Sequence, residues 1–380
     1  MLFRSYGERG NPVLRSIDYF IGIPLIFFLG HLRSKSKIRP KNPRRIALLK
    51  TAGIGDTVLL SAVSQDLKQA FPAAKQFFFC GANNYEVGLM MKDLYEVVRL
   101  PITNPFSALE KIIHAGTFDY WLDFGPWPRL NSLFSWAVRA TCKVGFATTK
   151  QYRHYVYDFS VEHAYGVHEL ENYRSILRAI EVNPEASPSL TIPSNVSKDD
   201  LRHLPLKNPR VIFHMFPGGS RAFLKTWPED YWRELARFFA EKGWQVVCTG
   251  GKADWGQAQF FTEGLRKDAR INDQFLNLSG DLNLRQIALV LKNSDLVISV
   301  DTGIMHMAPA LGAPVIALFG PTSPRHWRPF GEHTKAMYQG LDCSPCVRLG
   351  FESECKRNKC LDLLTPDLII KEVSHFISSC

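Results

Sequence analysis

Two series of short apolar runs, each closed by a glycine-bearing turn and then a helical stripe, constrain this chain more than anything else in it. In the first series, Arg45–Lys50 reads as a buried strand and Thr51–Asp56 as a turn. Leu59, Val63, Leu67 and Phe71 then recur every four residues, as on one face of a helix, and Pro72 ends it. Gln76–Cys80, Tyr120–Phe124 and Lys143–Phe146 read as further strands. Around 183–209 the chain turns rich in Pro, Ser and Asn, the signature of a linker. A second series follows. Arg210–Met215, Gln245–Thr249, Leu296–Val300 and Val315–Phe319 read as strands, ending respectively at Phe216–Ser220, Gly250-Gly251, Asp301–Gly303 and Gly320–Thr322. Thr226 and Glu229 have capping-box spacing before a helix striped by Trp232, Leu235, Ala236 and Phe239. Leu284–Leu291, Gly303–Leu311 and Pro366–Ile377 read as helices. Alternation of this kind demands parallel sheets covered by helices, so the expected class is α/β: two Rossmann-like doubly wound domains facing across a cleft, with ligands at the carboxyl ends of the strands. The boundaries expected are 1–44, 45–195, 196–365 and a terminal helix at 366–380. At 380 residues and 46% hydrophobic, the chain can bury two cores, and disorder or a small disulfide scaffold is excluded.

The formal charge is +10, but residues 1–45 supply +8 of it and the remaining body is almost neutral. Tyr19–Leu32 (YFIGIPLIFFLGHL) holds no charged residue, yet is shorter than the ~20 residues a spanning helix needs. Arg33–Arg45 then carries seven basic residues and no acid. An apolar plug beside a cationic run suits a segment lying in the interface of an anionic leaflet. The alternative is a helix packed on the body, followed by a solvated linker. A secretory signal fits poorly, since Glu8 and Asp18 interrupt the leading region and no small-residue cleavage site follows. A body without a basic patch interleaved with aromatics argues against nucleic acid as a partner.

Asp301-Thr302-Gly303, between a strand and a helix, puts backbone amides where a phosphate is bound, with Asp301 available to sugar hydroxyls. Equally, Asp301 or Thr302 could simply cap the helix. The run DTGIMHMAPALGAPVIALFGPTSPRHWRPFG, Asp301–Gly331, resembles the signature of the bacterial heptosyltransferases, glycosyltransferase family 9. IALLKTAGIGDTVLLSAVSQDLKQAFP, Ile46–Pro72, is similar to their N-terminal motif, and FPGGSRAFLKTWPEDYWREL, Phe216–Leu235, to the loop that reaches the donor phosphates. The resemblance covers roughly residues 45–375 and leaves the first 44 outside it.

It implies a GT-B fold and metal-independent, inverting transfer of a sugar from a nucleotide donor, typically ADP-heptose, to the growing lipopolysaccharide inner core, without a cofactor. It also implies an enzyme on the cytoplasmic side, peripherally associated with the inner face of the inner membrane, with a lipid-linked glycan as acceptor. Asp56 matches the family's proposed catalytic base, its bland alternative being an N-cap. Lys225 matches the phosphate-facing lysine. Gly218, Gly219, Ser220, Asp301, Thr302, Gly303 and His306 complete the implied donor-binding set, against a solvated loop lysine and an interior histidine as the plain readings. Phe216-Pro-Gly-Gly departs from the Thr-rich phosphate loop of some members, so a family member with another donor or acceptor in surface-glycan synthesis stays open. So does a membrane-tethered, non-catalytic glycan-binding protein. Cys343-x2-Cys346-x8-Cys355-x4-Cys360 has the spacing of a zinc site, or is a set of loop thiols. Finally, Arg153, His154, Tyr155, Tyr157, His163, Tyr165 and His168 form an aromatic, polar stretch that reads as a solvated loop rather than an acceptor contact.

Overall fold

The computed structural model describes residues 16, 18–127, 129–218, 222–347 and 355–379. The chain divides between Thr191 and Ile192 into two compact units, inside the Pro/Ser-rich stretch.

The first unit is built on a six-stranded parallel sheet: β1 (Arg45–Lys50), β2 (Lys75–Cys80), β3 (Glu96–Arg99), β4 (Phe118–Asp123), β5 (Ala140–Phe146) and β6 (Phe159–Val161). Their order is β3-β2-β1-β4-β5-β6. Strands covered on both faces must be apolar throughout, and residues 46–50 of β1 and 76–80 of β2 are buried without a break. Leu49, Phe79, Phe118 and Trp121 share a single core cluster, with the Phe79 and Trp121 ring centroids 5.0 Å apart. Each such side chain contributes roughly 1.5–3 kcal/mol on burial.

The second unit repeats the plan with β7 (Arg210–His214), β8 (Gln245–Cys248), β9 (Phe275–Asn277), β10 (Leu296–Val300), β11 (Val315–Phe319) and β12 (Thr334–Tyr338). The order is β12-β11-β10-β7-β8-β9, again all parallel. Its core joins Phe213, Trp227, Trp232 and Phe239 to Ile369 and Val373 of the terminal helix Pro366–Ser379. The expected α/β, doubly wound class is therefore the one found, twice over. In both sheets the strand order reverses between the first and fourth strands of the unit. That reversal opens a crevice at the carboxyl ends of β1 and β4 in one unit, and of β7 and β10 in the other.

Local readings needed correction in three places. The helix Ile54–Ala70 starts two residues ahead of Asp56, with Gly53 as its cap residue, so the turn is shorter than expected. The helix Glu229–Glu241 has Pro228 at its cap and no capping box, because the Thr226 hydroxyl donates to Ala222 O instead. The stretch 153–168 is not a solvated loop. Arg153 is fully buried on Asp123 at 2.6 Å, His163 lies 2.8 Å from Glu169, and His168 Nδ1 accepts from Leu170 N to cap the helix Glu169–Arg178.

The apolar plug forms a π-turn, Asp18–Gly22, running into the helix Ile23–His31. Ile26 and Gly30 face the first unit, where Ile26 joins a cluster with Val156 and Tyr157, and Trp136 Nε1 donates to Leu29 O. A Cβ on Gly30 would stand 2.4 Å from the Tyr155 Cβ, which is why this contact requires glycine. Phe20, Ile21, Phe28 and Leu32 are exposed, and Phe27, partly exposed, packs edge-on against Tyr155 with ring centroids 5.2 Å apart. The basic run is only partly solvated. Arg33 grips both Asp158 oxygens, and Arg39 donates to Ala179 O and stacks on Phe159. Lys37, Lys41 and Arg44 stay exposed. Among the described residues, no helix is long and apolar enough to cross a membrane.

Candidate functional site

At the switch point of the first unit, Asp56 stands in the first turn of Ile54–Ala70 and accepts from Lys50 Nζ at 2.6 Å and from the Tyr173 hydroxyl at 3.1 Å, both on Oδ1. Its carboxylate is thus an ion-paired group rather than an N-cap. Lys50, the last residue of β1, also donates to Phe124 O at 3.2 Å just past β4, so it spans the reversal. Gly53 sits at φ +95, and a Cβ there would fall 1.9 Å from Asp56 Oδ2. Glycine is therefore required both for the turn and for the carboxylate's position. Below it, Asn84 Nδ2 donates to Lys50 O and to Thr57 Oγ1, and Thr57 Oγ1 donates to Gly53 O, fixing the strand-to-helix turn. Further along β4, fully buried Asp123 is satisfied by Arg153, the Tyr157 hydroxyl and Gly125 N, an arrangement that supports the crevice floor.

At the switch point of the second unit, Lys225 Nζ donates to Asp301 O at 3.1 Å and lies 3.4 Å from Asp301 Oδ2. Thr322 Oγ1, beyond β11, donates to the same Oδ2 at 2.8 Å. The lysine side chain remains 21% exposed, so its charge stays accessible to an anion. Lys225 ends a single helical turn, Ala222–Lys225, held from below by Trp227, whose indole donates to Leu364 O at 2.7 Å. Thr302 Oγ1 accepts from Ile304 N at 3.3 Å and lies 3.2 Å from Ser299 Oγ, so Thr302 does part of the capping work. Among the described residues, Asp301 makes no cap bond to this helix. The helix itself is Ile304–Ala310, with Gly303 at its cap position, and His306 is buried with its ring 6.5 Å from that of Trp327. Gly218 is exposed, with open space where a side chain would go. Gly219 and Ser220 lie outside the described residues. Of the donor set, Lys225 and Asp301 are in direct contact, and Thr302 and Gly303 follow on the same turn.

Several members of these sites escape a sequence reading. Lys50 and Tyr173 bind Asp56, Thr322 binds Asp301, and His214 at the end of β7 lies 3.0 Å from Thr249 Oγ1. Burial pushes the His214 imidazole down to about 4, against the Thr249 hydrogen bond, so it is neutral at pH 7. The one visible signal is a lysine closing an otherwise apolar strand. The remaining candidates, Cys343, Cys346, Cys355 and Cys360, are thiols in the second unit and line one cavity. Burial pushes the Cys360 thiol up to about 11.

Residues 108–356 match the family profile of Glycosyltransferase family 9 (heptosyltransferase). Lipopolysaccharide heptosyltransferase 1 of Pseudomonas aeruginosa is 30% identical over 188 residues, 49% of this chain and 49% of its own length. The chain spans about half the length of the curated relatives it matches. Among solved structures, the Escherichia coli ADP-heptose lps heptosyltransferase II superposes with a TM-score of 0.72 at 18% identity, covering 88% of this chain and 99% of that one. A family 9 glycosyl transferase from Veillonella parvula gives 0.73 at 18%, covering 91% and 100%. At that identity the likeness is one of fold.

Proposed function

Because the chain belongs to glycosyltransferase family 9, we propose that it is an inverting, metal-independent glycosyltransferase that moves a heptose from ADP-heptose to a lipopolysaccharide inner-core acceptor. The observation that carries this reading is that each sheet has a lysine–aspartate pair at its switch point, Lys50–Asp56 in one unit and Lys225–Asp301 in the other. Support for the donor comes from relatives named for lipopolysaccharide heptose transfer.

In this reading Asp56 takes the proton of the acceptor hydroxyl as that oxygen attacks the anomeric carbon. The bond from that carbon to the diphosphate breaks on the opposite face, and configuration inverts. ADP leaves with the bonding electron pair. Lys225, the Gly218, Gly219 and Ser220 loop, and Thr302, Gly303 and His306 meet the added negative charge, while Asp301 orients Lys225 and the sugar hydroxyls. Lys50 and Tyr173 hold Asp56 in place. Titration calorimetry tests the donor half. Lys225→Met weakens ADP-heptose binding about tenfold or more, as expected for a lost charge-assisted contact, and unchanged affinity contradicts the assignment.

The acceptor is lipid-linked, and the same proposal has the enzyme work from the cytoplasmic side at the inner face of the inner membrane. The exposed Phe20, Ile21, Phe28 and Leu32, followed in the chain by exposed Lys37, Lys41 and Arg44, suit an anionic bilayer surface. Co-sedimentation with phosphatidylglycerol vesicles, lost on Phe20→Ser/Phe28→Ser and weakened by salt, is the expected result. Equal sedimentation of the variant removes this role from the helix.

A further inference from the structure

Asp123 and Arg153, 2.6 Å apart, form an ion pair in the first unit whose two side chains are both fully buried. Desolvating two charges offsets most of their attraction, so a pair of this kind does little for stability. Arg153 Nη1 adds to the cost, since it is buried without a hydrogen-bond partner among the described residues. What the pair does is hold two parts of the unit in one arrangement. Its neighbours on either side show which parts these are.

On one side lies the switch point. Asp123 ends β4, and its Oδ1 accepts from Gly125 N at 2.9 Å and lies 3.4 Å from Asn131 Nδ2. Asn131 Oδ1 in turn accepts from Thr51 Oγ1 at 3.0 Å. Thr51 follows Lys50, whose ammonium is shared between Phe124 O, next to Asp123, and Asp56 Oδ1. The turn carrying the proposed base therefore leans on Asp123 and its neighbour by two routes, the Phe124 carbonyl and Asn131. On the other side lies the segment 153–158. Arg153 and the Tyr157 hydroxyl both donate to Asp123 Oδ2 at 2.6 Å, and Arg153 Nε donates to Ser132 Oγ at 2.8 Å. Residues 26–36 grip the same segment by its remaining groups. Arg33 donates from Nη1 to Val156 O at 2.8 Å and from Nη2 to both Asp158 oxygens. Ser36 N donates to Asp158 Oδ1 at 2.6 Å, Lys35 Nζ donates to His154 O at 3.2 Å, and Ile26 clusters with Val156 and Tyr157.

We propose that Arg33 and Arg153 are positioning residues for the sugar transfer: the docked N-terminal segment, acting through residues 153–158 and Asp123, fixes the turn that holds Lys50 and Asp56. Each link is a direct contact inside the first unit, and together they make the contiguous network that such a coupling needs. The inference rests on Asp56 as the base. It gives the segment ahead of β1 a part in turnover that is separate from any contact with a bilayer.

The test uses the full chain with ADP-heptose and a delipidated, water-soluble inner-core oligosaccharide as acceptor, so that no bilayer takes part. Arg33→Met is expected to lower kcat about tenfold or more, as for a reacting group moved by a fraction of an ångström, with ADP-heptose affinity unchanged. Arg33→Lys, which keeps a cation beside Asp158, is expected to recover part of the loss. Tyr157→Phe keeps the ring and removes only the hydroxyl on Asp123, and a several-fold fall in kcat is expected from it too. Lys111→Met, which loses an exposed contact with Arg99 O, keeps the parental kcat. Amide hydrogen exchange reads the path without turnover: peptides spanning 50–57 and 123–131 are expected to exchange several-fold faster in Arg33→Met than in the parent. Parental kcat in Arg33→Met, or unchanged exchange in both peptides, overturns the coupling. If Arg33→Met does not fold, parental kcat in Tyr157→Phe overturns it. A loss of kcat restored in full by cooling below the melting transition is partial unfolding and overturns it as well. Asp56→Asn turning over like the parent overturns the base assignment instead, and the exchange result still decides the coupling.

Discussion

Replacing Lys50 by methionine removes one half of a pair whose charges are 2.6 Å apart on side chains 3% and 11% exposed. At an effective dielectric of about 20, the gross attraction at that distance is on the order of 6 kcal/mol. Desolvation of both groups offsets much of it, so the pair itself adds little net stability. Breaking it from one side is another matter, because the Asp56 carboxylate stays buried, still accepting from the Tyr173 hydroxyl, but without the cation that balances its charge. Losses of roughly 3–5 kcal/mol follow from stranding a buried charge. For a unit of this size, ~2–4 °C per kcal/mol converts that to a fall of about 6–20 °C in the melting transition of the first unit. Calorimetry on Lys50→Met, Asp56→Leu and the double variant gives the coupling directly. The double variant, with both charges gone and methionine stem and leucine filling the space, is expected to regain most of the loss. A Lys50→Met protein melting within about 1 °C of the parent would refute the reasoning, since Asp56 would then be solvated rather than held.

Gly53→Ala sets a methyl group 1.9 Å from Asp56 Oδ2 at a φ of +95. It is expected to cost about 1 kcal/mol or more in backbone strain and to cut turnover more than tenfold by displacing the carboxylate. Gly256→Ala, in the helix Trp255–Arg266 with nothing within 4 Å, is expected to leave turnover unchanged and to hold or slightly raise stability, and equal behaviour of the two variants by denaturation and rate assay contradicts the steric argument. Lys143 gives a pH signature. Burial, reinforced by the Arg33 charge and opposed by Asp158, pushes its ammonium down to about 7. The unfolded chain then binds the extra proton between about pH 7 and the ordinary lysine range near 10.5, so this group's contribution to stability rises with pH across that window. Lys143→Met is expected to stabilise the protein by a few kcal/mol at pH 7, with the gain shrinking toward pH 10 in urea titrations. A pH-independent difference removes the cause assigned.

How far the fold could be read ahead depended on where each strand lies in its sheet. β1, β10 and β11 were bounded correctly because central parallel strands are buried on both faces and read as unbroken apolar runs. The four edge strands, Glu96–Arg99, Phe159–Val161, Phe275–Asn277 and Thr334–Tyr338, left no such trace. They are three to five residues long and mostly half-buried, so polar residues interrupt them. Asp56 and Lys225 stand out in the sequence through the resemblance to the family, and Asp301 also through its place between a strand and a helix. The partners of Asp56 and Asp301 do not, since Tyr173 and Thr322 arrive from elsewhere in the chain and only the folded topology brings them in. Lys50 was in view yet read as a strand boundary, although its ammonium spans the switch point. The N-terminal helix packs on the first unit, as the alternative reading has it, and leaves apolar side chains exposed.

Transfer from ADP-heptose to a lipopolysaccharide inner-core acceptor, measured as product formed and ADP released by the parent and by Asp56→Asn, bears most directly on the central claim. The variant keeps the size of the side chain and its capacity to accept from Lys50 and Tyr173 but cannot act as the base. The account predicts turnover by the parent, inversion at the anomeric carbon, and a loss of ~10²–10⁴-fold in the variant with ADP-heptose affinity retained. Equal turnover by Asp56→Asn, or a retained anomeric configuration, would contradict it.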